Sequence, residues 1–188
     1  MTGAGHTLTG ILSGIPLAYL TVNYGGGVTA AVATVACCTL GSTAPDWLEI
    51  PYSAEGKDKK GNPIKVTKRV LKHRGITHIL SVWVALFLWS FVYLKSGVSP
   101  FIDTGMPIEV IAALFGFFGG CIVHWIGDFP NKQKLPVFTT LDGVSLNVWQ
   151  SGNFERTTGA IILFAVCSFV FFEEPIYQFL TKIAKFHV

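Results

Sequence analysis

Two uninterrupted apolar runs constrain this chain more than any other feature. Between Ile76 and Leu94 the only side chain that titrates near neutral pH is His78, and Trp83 and Trp89 add bulk. Between Ile108 and Ile126 only Glu109, near the start, and His124, near the end, interrupt the apolar sequence. A helix needs about 20 apolar residues to cross the hydrocarbon of a bilayer, and a soluble core rarely runs so long without a charge. Both runs meet that standard. Composition agrees: of 188 residues 51% are apolar and 13% charged, and the mean hydropathy is positive. That balance excludes an ordinary soluble domain.

Shorter apolar segments complete the pattern. Leu8 to Val22 and Val28 to Leu40 are rich in Gly, Ala and Thr, and Tyr24-Gly25-Gly26-Gly27 joins them as a tight helical hairpin. Gly159 to Phe172 reads as a fifth span or a re-entrant element, because Glu173-Glu174-Pro175 stops it early. The expected architecture is all-α, a polytopic transmembrane helix bundle of four to five spans at about 8–22, 28–40, 76–94, 108–126 and, as the fifth, 159–172. The polar stretches Pro51 to Lys72 and Phe129 to Arg156 fall well short of the roughly 50 residues of the smallest independent cores. They read as loops, 45–75 and 127–157, on one integral membrane domain covering 1–188. No basic residue precedes the first apolar run, as a signal peptide would require, so that span is expected to be retained. Cys37, Cys38, Cys121 and Cys167 lie in apolar segments without Cys-x-x-Cys spacing and read as buried, reduced thiols.

Positive charge sets the expected orientation. Lys57, Lys59, Lys60, Lys65, Lys68, Arg69, Lys72 and Arg74 crowd the connection between the second and third spans. The Tyr24–Gly27 turn has no Lys or Arg, and the 95–107 connection has only Lys95. The basic loop is therefore expected in the cytoplasm, as is the N-terminus. On that topology His6, Asp46, Glu49, His73, Arg74, His78, His124 and Asp128 all fall at the cytoplasmic ends of spans. Arg74 apart, the orientation argument did not use them, so their convergence on one leaflet is independent support for a site.

Their spacings suit an ion. His124 and Asp128, four apart, share one face of a helix, and Asp46 and Glu49, three apart, do the same if a helix continues past Pro45. Imidazole and carboxylate together suit zinc, manganese or iron, with zinc the commonest choice for hydrolysis. The bland readings are solvated interfacial His at positions 6 and 73, Asp46 as a helix cap, and Arg74 as an ordinary positive-inside residue. His78, His124 and Asp128 lie within or beside apolar spans, where an unpaired ionisable group is costly, so a functional reading outweighs the bland one there.

Pro45-Asp46, His73-Arg74-Gly75-Ile76-Thr77-His78 and His124-Trp125-Ile126-Gly127-Asp128, preceded by His6 and Gly10, resemble the YdjM-like family of bacterial inner-membrane proteins, described as membrane-bound metal-dependent hydrolases. The resemblance covers about the first 130 residues, and His-Arg-Gly-x-Thr-His is its most specific element. It implies a small helical protein of the inner membrane with a cytoplasm-facing metal site. The family's second acid, two positions after its Pro-Asp, is Leu48 here, and Glu49 is the nearest acid. Residues 129–155 read as a subfamily-specific lid or protein-partner surface.

Residues and resemblance together give a membrane-embedded metal-dependent hydrolase acting on a phosphoester, with membrane lipid or a lipid-linked phosphoester as its partner. His6, Asp46, His78, His124 and Asp128 are the expected ligands of a divalent metal, zinc first and manganese second, which brings the pKa of bound water toward ~7. His73 or Glu49 is the expected general acid or base, and the planar fork of Arg74 suits a phosphate. The rivals are a non-catalytic metal-binding or transport protein and a structural subunit of a membrane assembly. Gly10, Gly14, Gly116, Gly119 and Gly120 would serve the helix packing of a transporter, but no ionisable path runs through the mid-membrane. No nucleic-acid partner is expected.

Overall fold

The computed structural model describes residues 1–57, 61–97 and 105–185. The protein is mostly helical: α1 (Gly3–Asn23), α2 (Val28–Gly41), the single turn α3 (Ala44–Trp47), α4 (Leu80–Ser96), α5 (Ile108–Asp128), α6 (Glu155–Phe171) and α7 (Glu173–Lys185). α1 starts upstream of the apolar run because Thr2 caps it, accepting the Gly5 amide at 3.2 Å. Gly25, at φ 88°, closes the α1–α2 turn, and Gly97, at φ 69°, ends α4. The α1, α2, α4, α5 and α6 helices pack as neighbours that run alternately toward and away from one end of the bundle, so the residues flagged by the sequence gather at that end.

By length and composition, α5 is the one described helix that could cross a membrane alone; α6 and α7 qualify only as a pair, bent by 65° at Phe172. The apolar helices α2 and α4, at 14 and 17 residues, are shorter. Full crossing by four or five helices is thus more than these lengths alone establish. α4 is shortened because Ile76–His78 form a 3-10 turn ahead of Leu80. Leu8, Ile15, Tyr19, Val28, Val32, Val82, Val110, Ile161 and Phe164 nonetheless point outward around the bundle.

The all-α expectation needs one correction. Residues in the 45–75 loop form an antiparallel hairpin, β1 (Pro51–Lys57) paired with β2 (Pro63–Arg69), with Pro51 opposite Arg69. The sequence hid it because both strands are nearly all exposed and so carry no apolar alternation. Such a pair is marginal in water unless anchored, and here its base is held by Val70 and Leu71 amides on the Glu49 carbonyl, both 3.1 Å. Lys59 and Lys60 of the basic loop, and 98–104 of the next connection, lie outside the described residues.

Away from the site end, the core is aromatic. Phe87 stacks on Phe115 at 4.9 Å, and Phe169 from α6 meets Phe91 at 5.2 Å. At that far end Lys95 bonds Glu173, Glu174 and the Tyr24 hydroxyl, and lies over the Tyr24 and Tyr177 rings, tying α7 to α1 and α4. Burial pushes the Tyr24 hydroxyl up to about 12.

Glycine makes the central crossing. A Cβ at Gly120 would stand 2.2 Å from the Cys38 carbonyl oxygen, and one at Gly116 2.2 Å from that of Thr34, so α2 and α5 are in backbone contact. The neighbouring atoms are main chain and have nowhere to go. Gly120→Ala is therefore expected to destabilise the folded protein by about 1–3 kcal/mol. Gly3→Ala, with nothing within 4 Å, serves as the control. Thermal unfolding in one detergent should lower the midpoint for the first variant alone.

Candidate metal centre

Asp46 comes to the site on α3, which Pro45 starts and which places the carboxylate beside the ends of α2 and α5. Glu49 follows α3. His73 and Arg74 lie after β2, and Arg74, at φ 56°, makes the left-handed step that turns the chain toward the 3-10 turn carrying His78. Gly75 follows because a Cβ there would meet the Lys72 carbonyl oxygen at 2.7 Å. His6 comes from the first turns of α1, and His124 and Asp128 from the last turns of α5.

The structure brings every one of these residues into a single connected cluster. His6 stacks on His124 with ring centres 4.1 Å apart, and His124 meets His78 edge-on at 5.1 Å. His78 and Glu49 are fully buried. Glu49 lies 2.8 Å from His73 Nδ1 and 2.8 Å from Arg69 Nε, and accepts the Arg74 amide at 2.7 Å. Asp128 accepts from Arg74 Nη2 at 2.5 Å on one oxygen; its other oxygen accepts from Asn131 Nδ2 at 3.1 Å and lies 3.2 Å from His6 Nε2 and 2.6 Å from the Met1 amino group. His124 and Asp128, on one helical face, both meet His6, the first by stacking and the second through its carboxylate.

The decisive geometry is at the imidazoles. His124 Nδ1 lies 2.8 Å from the Ser42 carbonyl oxygen, which only accepts, so Nδ1 carries the proton and the neutral ring's lone pair is on Nε2. His78 Nδ1 lies 3.1 Å from the Thr77 hydroxyl, which can donate or accept, and 3.4 Å from a Glu49 carboxylate oxygen. The two Nε2 atoms face each other across 3.2 Å. Asp46 Oδ1, buried and without a hydrogen-bond partner among the described residues, lies 3.8 Å from the first and 4.0 Å from the second. Among the described residues Asp46 Oδ1 thus has no donor within hydrogen-bond range, and a cation between the three atoms would satisfy them together. The donor atoms of Asp46, His78 and His124 lie within 4.8 Å of one another, as do those of His6, His124 and Asp128, and of Asp46, Glu49 and His73. The set fits a divalent metal. Carboxylates and carbonyls behind ligating imidazoles are the usual outer partners of metal-bound His.

The model of the YdjM inner membrane protein family matches residues 1–177. The chain belongs to this family. Searches of curated proteins and of solved structures found no match. The family match takes in 129–154 and α6 as well as the motif-bearing helices, so it runs well past the first 130 residues that carry the sequence resemblance. In this YdjM-family protein Arg69, Asn131 and the Ser42 carbonyl belong to the cluster, and the motifs did not reveal them. Asn131 had a signal, three residues after Asp128. A main-chain carbonyl has none.

Glu49 serves donors from both the hairpin and the site, and these separate in a Glu49→Gln variant. Its amide nitrogen must face one of the former donors, so the Arg74 amide is expected to exchange hydrogen roughly tenfold faster, equivalent to about 1.4 kcal/mol. The Val70 and Leu71 amides bond the unchanged main-chain carbonyl and should keep their protection. Equal acceleration of all three, read by hydrogen-exchange mass spectrometry, would show that the carboxylate serves the hairpin as a whole.

Proposed function

We propose that this protein is a multi-pass inner-membrane hydrolase, dependent on a divalent metal, that cleaves a phosphoester on a lipid-linked substrate at the cytoplasmic face. The observation that carries this reading is the convergence of His78 Nε2, His124 Nε2 and an Asp46 Oδ1 unpartnered among the described residues, within 4.8 Å of one another. These residues would hold the ion, with His6 and Asp128 beside them, and the donor set suits zinc first and manganese second. Bound there, such an ion supplies Lewis acidity and acidifies water at neutral pH.

The chain's own residues divide the remaining work. Glu49 orients His73 through Nδ1, which leaves the lone pair of that ring on Nε2. His73 is one-third exposed, at 33%, whereas His78 is fully buried, so His73 is the group placed to exchange protons with substrate and solvent. Glu49, saturated by its donors, acts as its positioning residue. Arg74 spends Nη2 on Asp128 and Nη1 on the Gln133 carbonyl, 2.8 Å away. Arg69, bonded to Glu49 and 35% exposed, is the more accessible guanidinium of the cluster, and its planar fork suits a phosphate. The outward-facing apolar side chains support several membrane crossings, and Lys57, Lys65, Lys68, Arg69 and Lys72 at the site end support its cytoplasmic placement.

Detergent-purified wild type is expected to carry close to stoichiometric zinc or manganese by elemental analysis, and His124→Ala and Asp46→Ala to lose it. Equal metal in all three overturns the metal centre. His73→Ala is expected to keep the metal while hydrolysis of phosphoesters slows by ~10²–10⁴-fold. If metal-loaded wild type cleaves none of a panel of lipid-linked and soluble phosphoesters, the hydrolase reading fails.

Orientation has its own test. A cysteine at Ser53, on β1, should resist an impermeant thiol reagent in intact cells and react after permeabilisation. Labelling in intact cells would turn the site outward.

A further inference from the structure

Between α5 and α6 the chain runs as a strap across the site end. Buried Leu135 pairs with Val144 through two backbone bonds of 2.8 and 2.9 Å. The Leu146 and Val148 amides bond the Phe129 and Pro130 carbonyls, both at 3.0 Å. On the other side, the Pro136 and Val137 carbonyls accept the first two amides of α4, those of Leu80 at 3.3 Å and Ser81 at 2.9 Å. Those amides have no partner within their own helix, so the strap and α4 complete each other.

Within the strap, the Asp142 carboxylate accepts the backbone amides of Val137, Phe138 and Thr139 at 2.7, 2.9 and 3.1 Å. These bonds, that of Val137 foremost, hold its carboxyl below the usual range. The turn is therefore fixed, and it displays Phe138 at 74% exposure and Leu141 at 96%. A fixed turn that stands two large apolar side chains outward needs something apolar to receive them. Its level says what. The turn hangs on the first residues of α4, where exposed Ile76 and Val82 begin the outward-facing apolar surface, and exposed Lys132 and Lys134 precede it in the strap. Apolar tips beside Lys at the end of an apolar helix match the boundary between acyl chains and anionic headgroups.

We propose that the 137–142 turn is an interfacial anchor: Phe138 and Leu141 enter the headgroup–acyl boundary of the leaflet at the site end, and Lys132 and Lys134 meet its anionic headgroups. This rests on the site end lying at a membrane interface, as in the functional reading above, and on neither metal nor hydrolysis. The anchor keeps the cluster at headgroup level, because the strap that bears it also covers the ends of α4 and α5.

The test uses the full chain with Cys37, Cys38, Cys121 and Cys167 replaced by Ala and a nitroxide on Phe138→Cys, Leu141→Cys or, as a control, Gln150→Cys. The protein is placed in vesicles of anionic or of zwitterionic phospholipid. Labels at 138 and 141 are expected to relax with oxygen and to lose relaxation by an aqueous nickel chelate, with the pattern inverted at 150. Lys132→Gln with Lys134→Gln should abolish any deeper burial in anionic than in zwitterionic vesicles. Chelate relaxation at 141 equal to that at 150 overturns the proposal. Shielding from both reagents, with spin–spin broadening as protein is concentrated in the vesicles, overturns it too and makes the turn a contact between copies. Metal content and hydrolysis are measured on the same samples. Their loss with the label still in lipid sinks the hydrolase reading alone, and the reverse result sinks the anchor alone.

Discussion

A main-chain carbonyl oxygen accepts and never donates, and the state of the whole cluster depends on that fact at Ser42. Because its oxygen takes the Nδ1 proton of His124, the lone pair of that ring is turned toward His78 Nε2. Each imidazole is orientated from behind, and the partners differ: a carbonyl behind one, a hydroxyl and a carboxylate behind the other. The result is a hollow lined by imidazole and carboxylate ligand atoms at the end of apolar helices, where an unpartnered atom such as Asp46 Oδ1 is costly. Stacked His6 and the Asp128–Arg74 pair close it on one side, and half-exposed Asp46 opens it on the other.

Such a hollow requires close control of helix position. The Ser42 carbonyl sits just past α2, and His124 is on α5, so their 2.8 Å bond exists only if those helices approach to backbone contact. Gly116 and Gly120 allow that approach, and Gly41 allows it from the other helix, since a Cβ there would lie 2.0 Å from the Phe117 oxygen. Farther along, the Thr21 and Thr34 hydroxyls meet at 2.8 Å, and Thr34 reaches the Ala112 carbonyl at 3.3 Å, joining α1, α2 and α5 by polar contacts in an otherwise apolar layer. Packing of small residues and the geometry of the site are one constraint seen at two heights.

How much of this could be read from the sequence depends on which signal each part left. Apolar runs marked the helices, because a segment that avoids water must be apolar all round. Even so, the run from Ile76 hid the 3-10 turn, since no Gly or Pro within Ile76-Thr77-His78 marks a break ahead of the helix. The hairpin left no periodic signal because it buries almost nothing. α7 was masked by Glu173-Glu174-Pro175, which reads as a stop but forms the first turn of a new helix; Pro is tolerated there because first-turn amides lack partners anyway. In the site, the titrating side chains were legible by type and by their gathering at one end. Their division of labour was not, because it depends on the Ser42 carbonyl, a backbone group, and on the left-handed step at Arg74, a residue type that seldom takes it.

The long range of the site's contacts has a consequence for biogenesis. His6 meets Asp128 across 122 residues, and Lys95 meets Glu174 across 79. A chain made from its N-terminus onward therefore presents His6 and the end of α2 long before the α5 residues that complete the cluster. Lys95 likewise emerges well ahead of the acids that neutralise it. The first hairpin must wait, with its polar groups served by water, a chaperone or the insertion machinery. Loading of any ion is then a late event in the life of the molecule, after α5 is in place, and a chain arrested before α7 would leave the far end of the bundle with an uncompensated ammonium group for quality control to recognise.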